Sequence, residues 1–210
     1  MTVSAKSRFV NALTFARLPL IFAWLGFAVA QELLGGFWLG AAACLAMLAS
    51  GLTDLFDGWL ARKWGVVSNL GKMADPLMDK MFYLVAFPAL VWQAGRQDGG
   101  DVHAMVLLGF TILYMMRDTW VTFMRTVGTM YGADVAAMWL GKVRTALSFP
   151  GAGWVYAYLA FHDLAPESWR GAWLASCYVF EAVLVVLTLV SLVTYTAAYA
   201  PYLEKALARK

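Results

Sequence analysis

Six apolar stretches follow one another along this chain, each near the roughly 20 residues that a helix needs to cross a bilayer. They cover about residues 9–30, 36–61, 73–94, 102–124, 137–161 and 171–198. Only short polar breaks separate them, marked by turn chemistry at Gly35-Gly36, Gly99-Gly100 and Pro166. The bulk numbers agree. Hydrophobic residues make up 62% of the 210 residues and charged residues 14%, against about 25% charged in a soluble domain. So much apolar surface excludes a water-soluble globule and disorder. The 18 glycines lack a period of three and there are two cysteines, which excludes collagen-like and disulfide-framework folds. The expected fold is an all-α integral membrane protein with six transmembrane helices in one domain, residues 1–210. Connections this short make consecutive helices adjacent antiparallel neighbours.

The first stretch ends Ala28-Val29-Ala30, which resembles a signal-peptide cleavage site. Arg17 interrupts its apolar run and further spans follow at once, so the segment is expected to stay as the first span. Cys44 and Cys177 lie in apolar stretches and form no CxxC pair.

Lys and Arg near span ends set the orientation. Eleven fall on one side: Lys6, Arg8, Arg62, Lys63, Lys72, Arg125, Lys142, Arg144, Lys205, Arg209 and Lys210. Two, Arg96 and Arg170, fall on the other. Both termini are therefore expected to be cytoplasmic. Trp38, Trp92, Trp169 and Trp173 near outer ends, with Trp59, Trp64 and Trp139 near inner ends, read as an aromatic belt. The net charge of +3 is spread over an apolar chain, with no basic domain of the kind that binds nucleic acid.

Charged side chains within spans are costly and by default mark function. Four of the nine aspartates, Asp54, Asp57, Asp75 and Asp79, lie within 26 residues at the inner ends of the second and third stretches. At about 100° per residue, Asp54, Asp57, Gly58, Ala61 and Arg62 share an arc of roughly 140° on one helix. Gly71, Asp75 and Asp79 share about 80° on the next. If the two faces meet, four carboxylates converge. They cannot share a low-dielectric site unneutralised. Hard divalent cations with oxygen ligands are the natural solution, and Mg²⁺ is commonly held by carboxylates together with substrate phosphates. The small residues beside them would let a ligand approach the helix backbone.

These residues resemble the signature of the CDP-alcohol phosphatidyltransferase family, D-x2-D-G-x2-A-R-x8-G-x3-D-x3-D. All eight fixed positions are present: Asp54, Asp57, Gly58, Ala61, Arg62, Gly71, Asp75 and Asp79. The resemblance implies transfer of a phosphatidyl group from CDP-diacylglycerol to an alcohol, releasing CMP. It implies two divalent ions, Mg²⁺ or Mn²⁺, bound by Asp54, Asp57, Asp75 and Asp79, with Asp79 also the catalytic base. It assigns the CDP moiety to Gly58, Ala61, Arg62 and Gly71. In-line attack on the phosphorus bearing the lipid is expected, without a covalent enzyme intermediate. A homodimer in a bacterial-type inner or plasma membrane, with the active site facing the cytoplasm, is also what the resemblance implies.

Three further stretches resemble the phosphatidylglycerophosphate synthase branch. Asn11 to Arg17 fits N-x2-T-x2-R, and Asp75 to Lys80 fits D-P-x2-D-K. Arg117-Asp118 with Arg125, and then Trp139 to Thr145, resemble R-E-x6-R and W-x-G-K-x-K-T, with Asp118 in place of Glu and Arg144 in place of Lys. The resemblance covers residues 8 to about 146 and implies sn-glycerol 3-phosphate as the acceptor. Lys80, Arg117, Arg125, Lys142 and Arg144 are cations suited to its phosphate. Lys142 and Arg144 also fit membrane anchors snorkelling to headgroups, and Arg117 fits a structural pair with Asp118 or Glu181. Glu181 itself reads as a buried structural partner, and His103 and His162 fall far from the acids. Other acceptors remain open: phosphatidylglycerol as in a cardiolipin synthase, or serine, inositol phosphate or choline. A cation channel or transporter is the alternative from another class. Missing internal repeats and acids gathered at one membrane face count against it.

Overall fold

In the computed structural model the chain forms six long helices: α1 (Val3–Leu34), α2 (Phe37–Trp64), α3 (Asn69–Ala94), α4 (Asp101–Met130), α5 (Trp139–Phe161) and α6 (Glu167–Ala208). A 3₁₀ turn, His162–Leu164, precedes α6, and there is no strand among the described residues. The structure describes residues 2–133 and 139–208. The side chain of Lys72, residues 137 and 138 of the fifth predicted span, and Arg209 and Lys210 lie outside the described residues.

Helix ends follow local chemistry. Gly35 and Gly36 have φ of 71° and 109°, which only glycine adopts cheaply, so α1 reverses into α2 within two residues. Gly65 closes α2 in the left-handed conformation, its N–H turned back to the carbonyls of Ala61 and Arg62. Ser68 then caps α3 by accepting the Gly71 N–H at 2.9 Å. The two acid-bearing helices are thus joined by a connection whose geometry is set at both ends. Ala28–Ala30 lies inside α1, one unbroken helix.

Four helices, α1, α2, α4 and α6, are long and apolar enough to cross a membrane, so this is a membrane protein. By length α3 and α5 would also reach across, at roughly 39 and 35 Å. They are less apolar, because α3 begins with Lys72, Asp75, Asp79 and Lys80, and α5 with Lys142 and Arg144. Leu45, Leu48, Leu52 and Leu55 on α2 are exposed, as are Val179, Val183, Val186 and Val190 on α6. Apolar surface on this scale suits lipid, not water. The buried core holds Trp24 edge-on to Tyr156 at 5.5 Å and an aromatic group of Phe87, Phe110 and Tyr114.

Packing departs from the expectation of consecutive neighbours. The α1–α2, α3–α4 and α5–α6 pairs do pack on each other, but among the described residues the backbones of α2 and α3, and of α4 and α5, do not come close, and those helices meet only through side chains. Instead α1 packs against both α2 and α3, and α6 against both α4 and α5. The reason at α2 and α3 is electrostatic. Both present carboxylates, and like charges do not pack face to face unless a cation separates them.

Candidate active site

Helix α1 supplies that cation. Arg17 is 3% exposed and its guanidinium reaches all four aspartates. Nη2 lies 2.5 Å from Asp54 Oδ1, 3.4 Å from Asp57 Oδ2 and 2.8 Å from Asp75 Oδ1. Nη1 donates to Asp79 Oδ1 at 2.9 Å. One turn earlier Thr14 donates its hydroxyl to Asp57 Oδ2 at 2.7 Å. Another turn back, Asn11 Oδ1 accepts from the Ser68 hydroxyl at 2.8 Å. Asn11, Thr14 and Arg17 therefore line one stripe of α1, facing the start of α3 and the acids in turn. The four carboxylates differ in exposure: Asp57 is 7% exposed at its side chain, Asp79 36%, Asp54 43% and Asp75 54%.

Three cavities open from this cluster. The first, about 340 Å³, is lined by Gly58, Ala61, Arg62 and Gly71, with Asp57, Asp75, Asn11, Thr14 and Ser68. A Cβ built on Gly71 would meet Ser68 Oγ at 3.1 Å and Asn11 Oδ1 at 3.4 Å. The small residue there keeps the floor of the cavity open. The second, about 400 Å³, is an apolar groove of Leu48, Leu52, Leu55, Phe82 and Phe149 that ends at Arg17, Asp54 and Asp79. The third, about 510 Å³, carries Asp54, Asp75 and Asp79 on one wall. Its other walls hold all five predicted phosphate-binding cations, Lys80, Arg117, Arg125, Lys142 and Arg144. Asp79 borders the second and third cavities and Asp75 the first and third.

The cation cavity is tied together by side chains from four helices, α3 to α6. Asp118 Oδ1 accepts from Arg117 Nη1 at 2.9 Å and also from Arg144 Nη2. Arg144 is 2% exposed and stacks on Tyr114 at 3.9 Å from the ring centre. It is thus not a snorkelling anchor. Lys142 is exposed, as an anchor would be. Arg117 donates to Ser191 Oγ and lies over the Tyr195 ring at 5.1 Å. Its partner is Asp118, not Glu181. Lys80 donates to Thr122 at 2.8 Å. Glu181 pairs with His103 at 2.8 Å, both buried, as a structural partner on the far part of α4.

The carboxylates fit a divalent ion. One oxygen each from Asp54, Asp57 and Asp75 lies within 4.8 Å of the others. Oxygens that close can surround one hard cation at ordinary oxygen–metal distances of about 2.0–2.6 Å. Asp79 stands outside that group and faces Arg17 Nη1.

Several contributors had no site role in the sequence reading, where Asn11, Thr14 and Arg17 entered only as the N-x2-T-x2-R stretch. Arg17 was legible in principle, being a charge inside an apolar stretch. Ser191 and Tyr195 carried no signal, since Ser and Tyr are ordinary residues of membrane helices.

Residues 9–190 match the sequence model of the family described as CDP-alcohol phosphatidyltransferase. A cardiolipin synthase (CMP-forming) of Streptomyces coelicolor is 28% identical over 76% of this chain and 74% of its own length. A CDP-diacylglycerol–glycerol-3-phosphate 3-phosphatidyltransferase of Mycoplasma genitalium is 34% identical over 57% of this chain. The enzyme of the same name from Escherichia coli strain K12 is 29% identical over 56%. The matched part spans 43% and 62% of those two relatives.

Proposed function

This chain belongs to the CDP-alcohol phosphatidyltransferase family, and from that premise we propose that it transfers the phosphatidyl group of CDP-diacylglycerol to sn-glycerol 3-phosphate. The products are phosphatidylglycerophosphate and CMP. The observation that carries this reading is the convergence of three chemically different cavities on one acid cluster. A polar cavity floored by small residues suits a nucleotide. An apolar groove suits acyl chains. A cavity walled by five cations suits a phosphomonoester.

Asp54, Asp57, Asp75 and Asp79 would hold Mg²⁺ or Mn²⁺, as two ions. Bound there, the ions would offset charge on the diphosphate as CMP leaves. The protein's own groups do the rest. Gly58, Ala61 and Gly71 let the nucleotide lie against the helix backbones, and Arg62 meets its phosphates. Arg117, Arg144 and Lys142, with Lys80 and Arg125, hold the acceptor phosphate and so aim the acceptor hydroxyl at the acid end of α3. Asp79, like Asp54, borders both the groove and the cation cavity, and it stands outside the tight oxygen group of Asp54, Asp57 and Asp75. It takes the proton from that hydroxyl as the oxygen attacks the phosphorus bearing the lipid. General-base assistance of this kind contributes about 10²–10⁴-fold.

The complete arrangement is six spans with both termini and the site on the cytoplasmic side of a bacterial-type inner membrane, assembled as a homodimer. Purified protein with Mg²⁺ or Mn²⁺ should release CMP from CDP-diacylglycerol only when glycerol 3-phosphate is supplied. A second reading, phosphatidylglycerol as acceptor, is favoured by the Streptomyces relative's name. Against it, five cations suit a phosphomonoester dianion better than a singly charged phosphodiester. CMP release with phosphatidylglycerol and none with glycerol 3-phosphate would decide for that second reading.

A further inference from the structure

Arg17 lies on α1, outside the eight-residue acid signature, yet it is the group that touches all four acids. Its Nη2 alone contacts oxygens of Asp54, Asp57 and Asp75, the same three residues whose oxygens cluster tightly enough to hold an ion. Guanidinium and divalent ion thus draw on one donor set. The side chain is buried, and Nε has no hydrogen-bond partner. Its binding therefore comes from the two terminal nitrogens that face the acids. The surroundings favour this compact pairing. Four carboxylates in a half-buried cleft repel one another, and one guanidinium lowers their summed charge from −4 to −3.

We infer that Arg17 is a resident counter-ion that competes with divalent metal for the carboxylates, so that metal uptake requires it to release them. The inference rests on the metal-dependent reading above. It assigns Arg17 two effects of opposite sign. Arg17 weakens metal binding, because its contacts must be given up. It also stabilises the protein without metal, because the carboxylates then have one cation among them.

The test compares wild-type protein with Arg17→Gln and Arg17→Lys in nanodiscs. Mn²⁺ binding is followed by electron paramagnetic resonance of the free ion. Unfolding midpoints are taken from tryptophan fluorescence in EDTA and in Mg²⁺. Arg17→Gln should bind Mn²⁺ about tenfold or more tighter, the effect of removing one nearby positive charge. It should also melt lower than wild type in EDTA and recover more of its midpoint with Mg²⁺. Arg17→Lys, whose single ammonium cannot span four carboxylates, should fall between. If the Gln variant does not fold, the Lys variant decides alone, since Mn²⁺ affinity equal to or weaker than wild type overturns the inference. Mn²⁺ binding to both proteins with unchanged affinity overturns the inference and leaves the functional reading standing. No Mn²⁺ binding by any of the three overturns the functional reading, and this inference with it.

Discussion

At the residue scale the acid cluster divides its work by position. Asp57 is buried, takes a hydrogen bond from Thr14 and borders the polar cavity proposed for the nucleotide. Asp79 borders the apolar groove and the cation cavity but not that polar cavity. Asp79→Asn keeps the shape and removes the proposed base. Turnover should fall about 10²–10⁴-fold while binding of CDP-diacylglycerol is largely kept, as equilibrium binding and single-turnover CMP release will show. Asp57→Asn should instead weaken metal and nucleotide binding. Normal turnover by Asp79→Asn would refute the assignment of the base. Asp118 is a positioning residue, because it holds Arg117 and Arg144 by one oxygen. Hydrogen bonds to charged groups contribute about 1.5–3 kcal/mol each, so Asp118→Asn should raise KM for glycerol 3-phosphate about tenfold or more. KM for CDP-diacylglycerol should stay near wild type. Equal changes in both would show a general loss of structure instead. The four acids were plain in the sequence because carboxylates in apolar stretches are rare. That Arg117 pairs with its own neighbour, and not with Glu181, was not plain. Both partners were within helical or interhelical reach, and only packing chose between them.

At the element scale the first and last helices act as wedges. Helix α1 separates the two acid-bearing helices and places Arg17 between them. Helix α6 runs for 42 residues, about twice the length needed to cross a bilayer. Its last turns carry Tyr195 and Tyr199 onto Val121 and Met124 of α4, forming a second small core beside the cation cavity. Close approach there depends on Gly128. A Cβ at that position would meet the Tyr199 ring at 2.6 Å. Gly128→Ala should therefore destabilise the protein by about 1–3 kcal/mol, the usual cost of overpacking. A lowered thermal midpoint will register it, and an unchanged midpoint would mean that the ring moves aside freely. The wedge arrangement was illegible in advance. Short connections at 65–68 and between the other helices fix which ends are near, but not which faces touch along the length.

At the scale of the whole molecule the alternation of six helices puts the acids, the cations around them and the 65–68 connection at one end of the bundle. The turns at Gly35-Gly36 and near Gly100 lie at the other. Among the described cations, Lys6, Arg8, Arg17, Arg62, Lys63, Lys80, Arg117, Arg125, Lys142, Arg144 and Lys205 belong to the acid end, while Arg96 and Arg170 belong to the opposite one. This asymmetry supports a cytoplasmic acid end. Single cysteines at exposed positions on the two ends, introduced after replacing Cys44 and Cys177, test it with a membrane-impermeant thiol reagent on intact cells. Positions in the Gly99–Asp101 turn should label, and positions at Gly65 to Val67 should label only after the membrane is opened. The reverse pattern would overturn the orientation. The sequence by itself determined that the chain is helical and apolar enough for membrane, and which eight residues form the signature. Those depend on local hydropathy and on helical spacing, which are written along the chain. Only the tertiary structure decided that Arg17 stands at the centre of the acids, that three cavities meet there, and that Ser191 and Tyr195 back Arg117 of the cation cavity. These are contacts between residues far apart in sequence. Apolar periodicity cannot choose among them, because in lipid nearly every helix face is apolar and side-chain packing alone selects the partner.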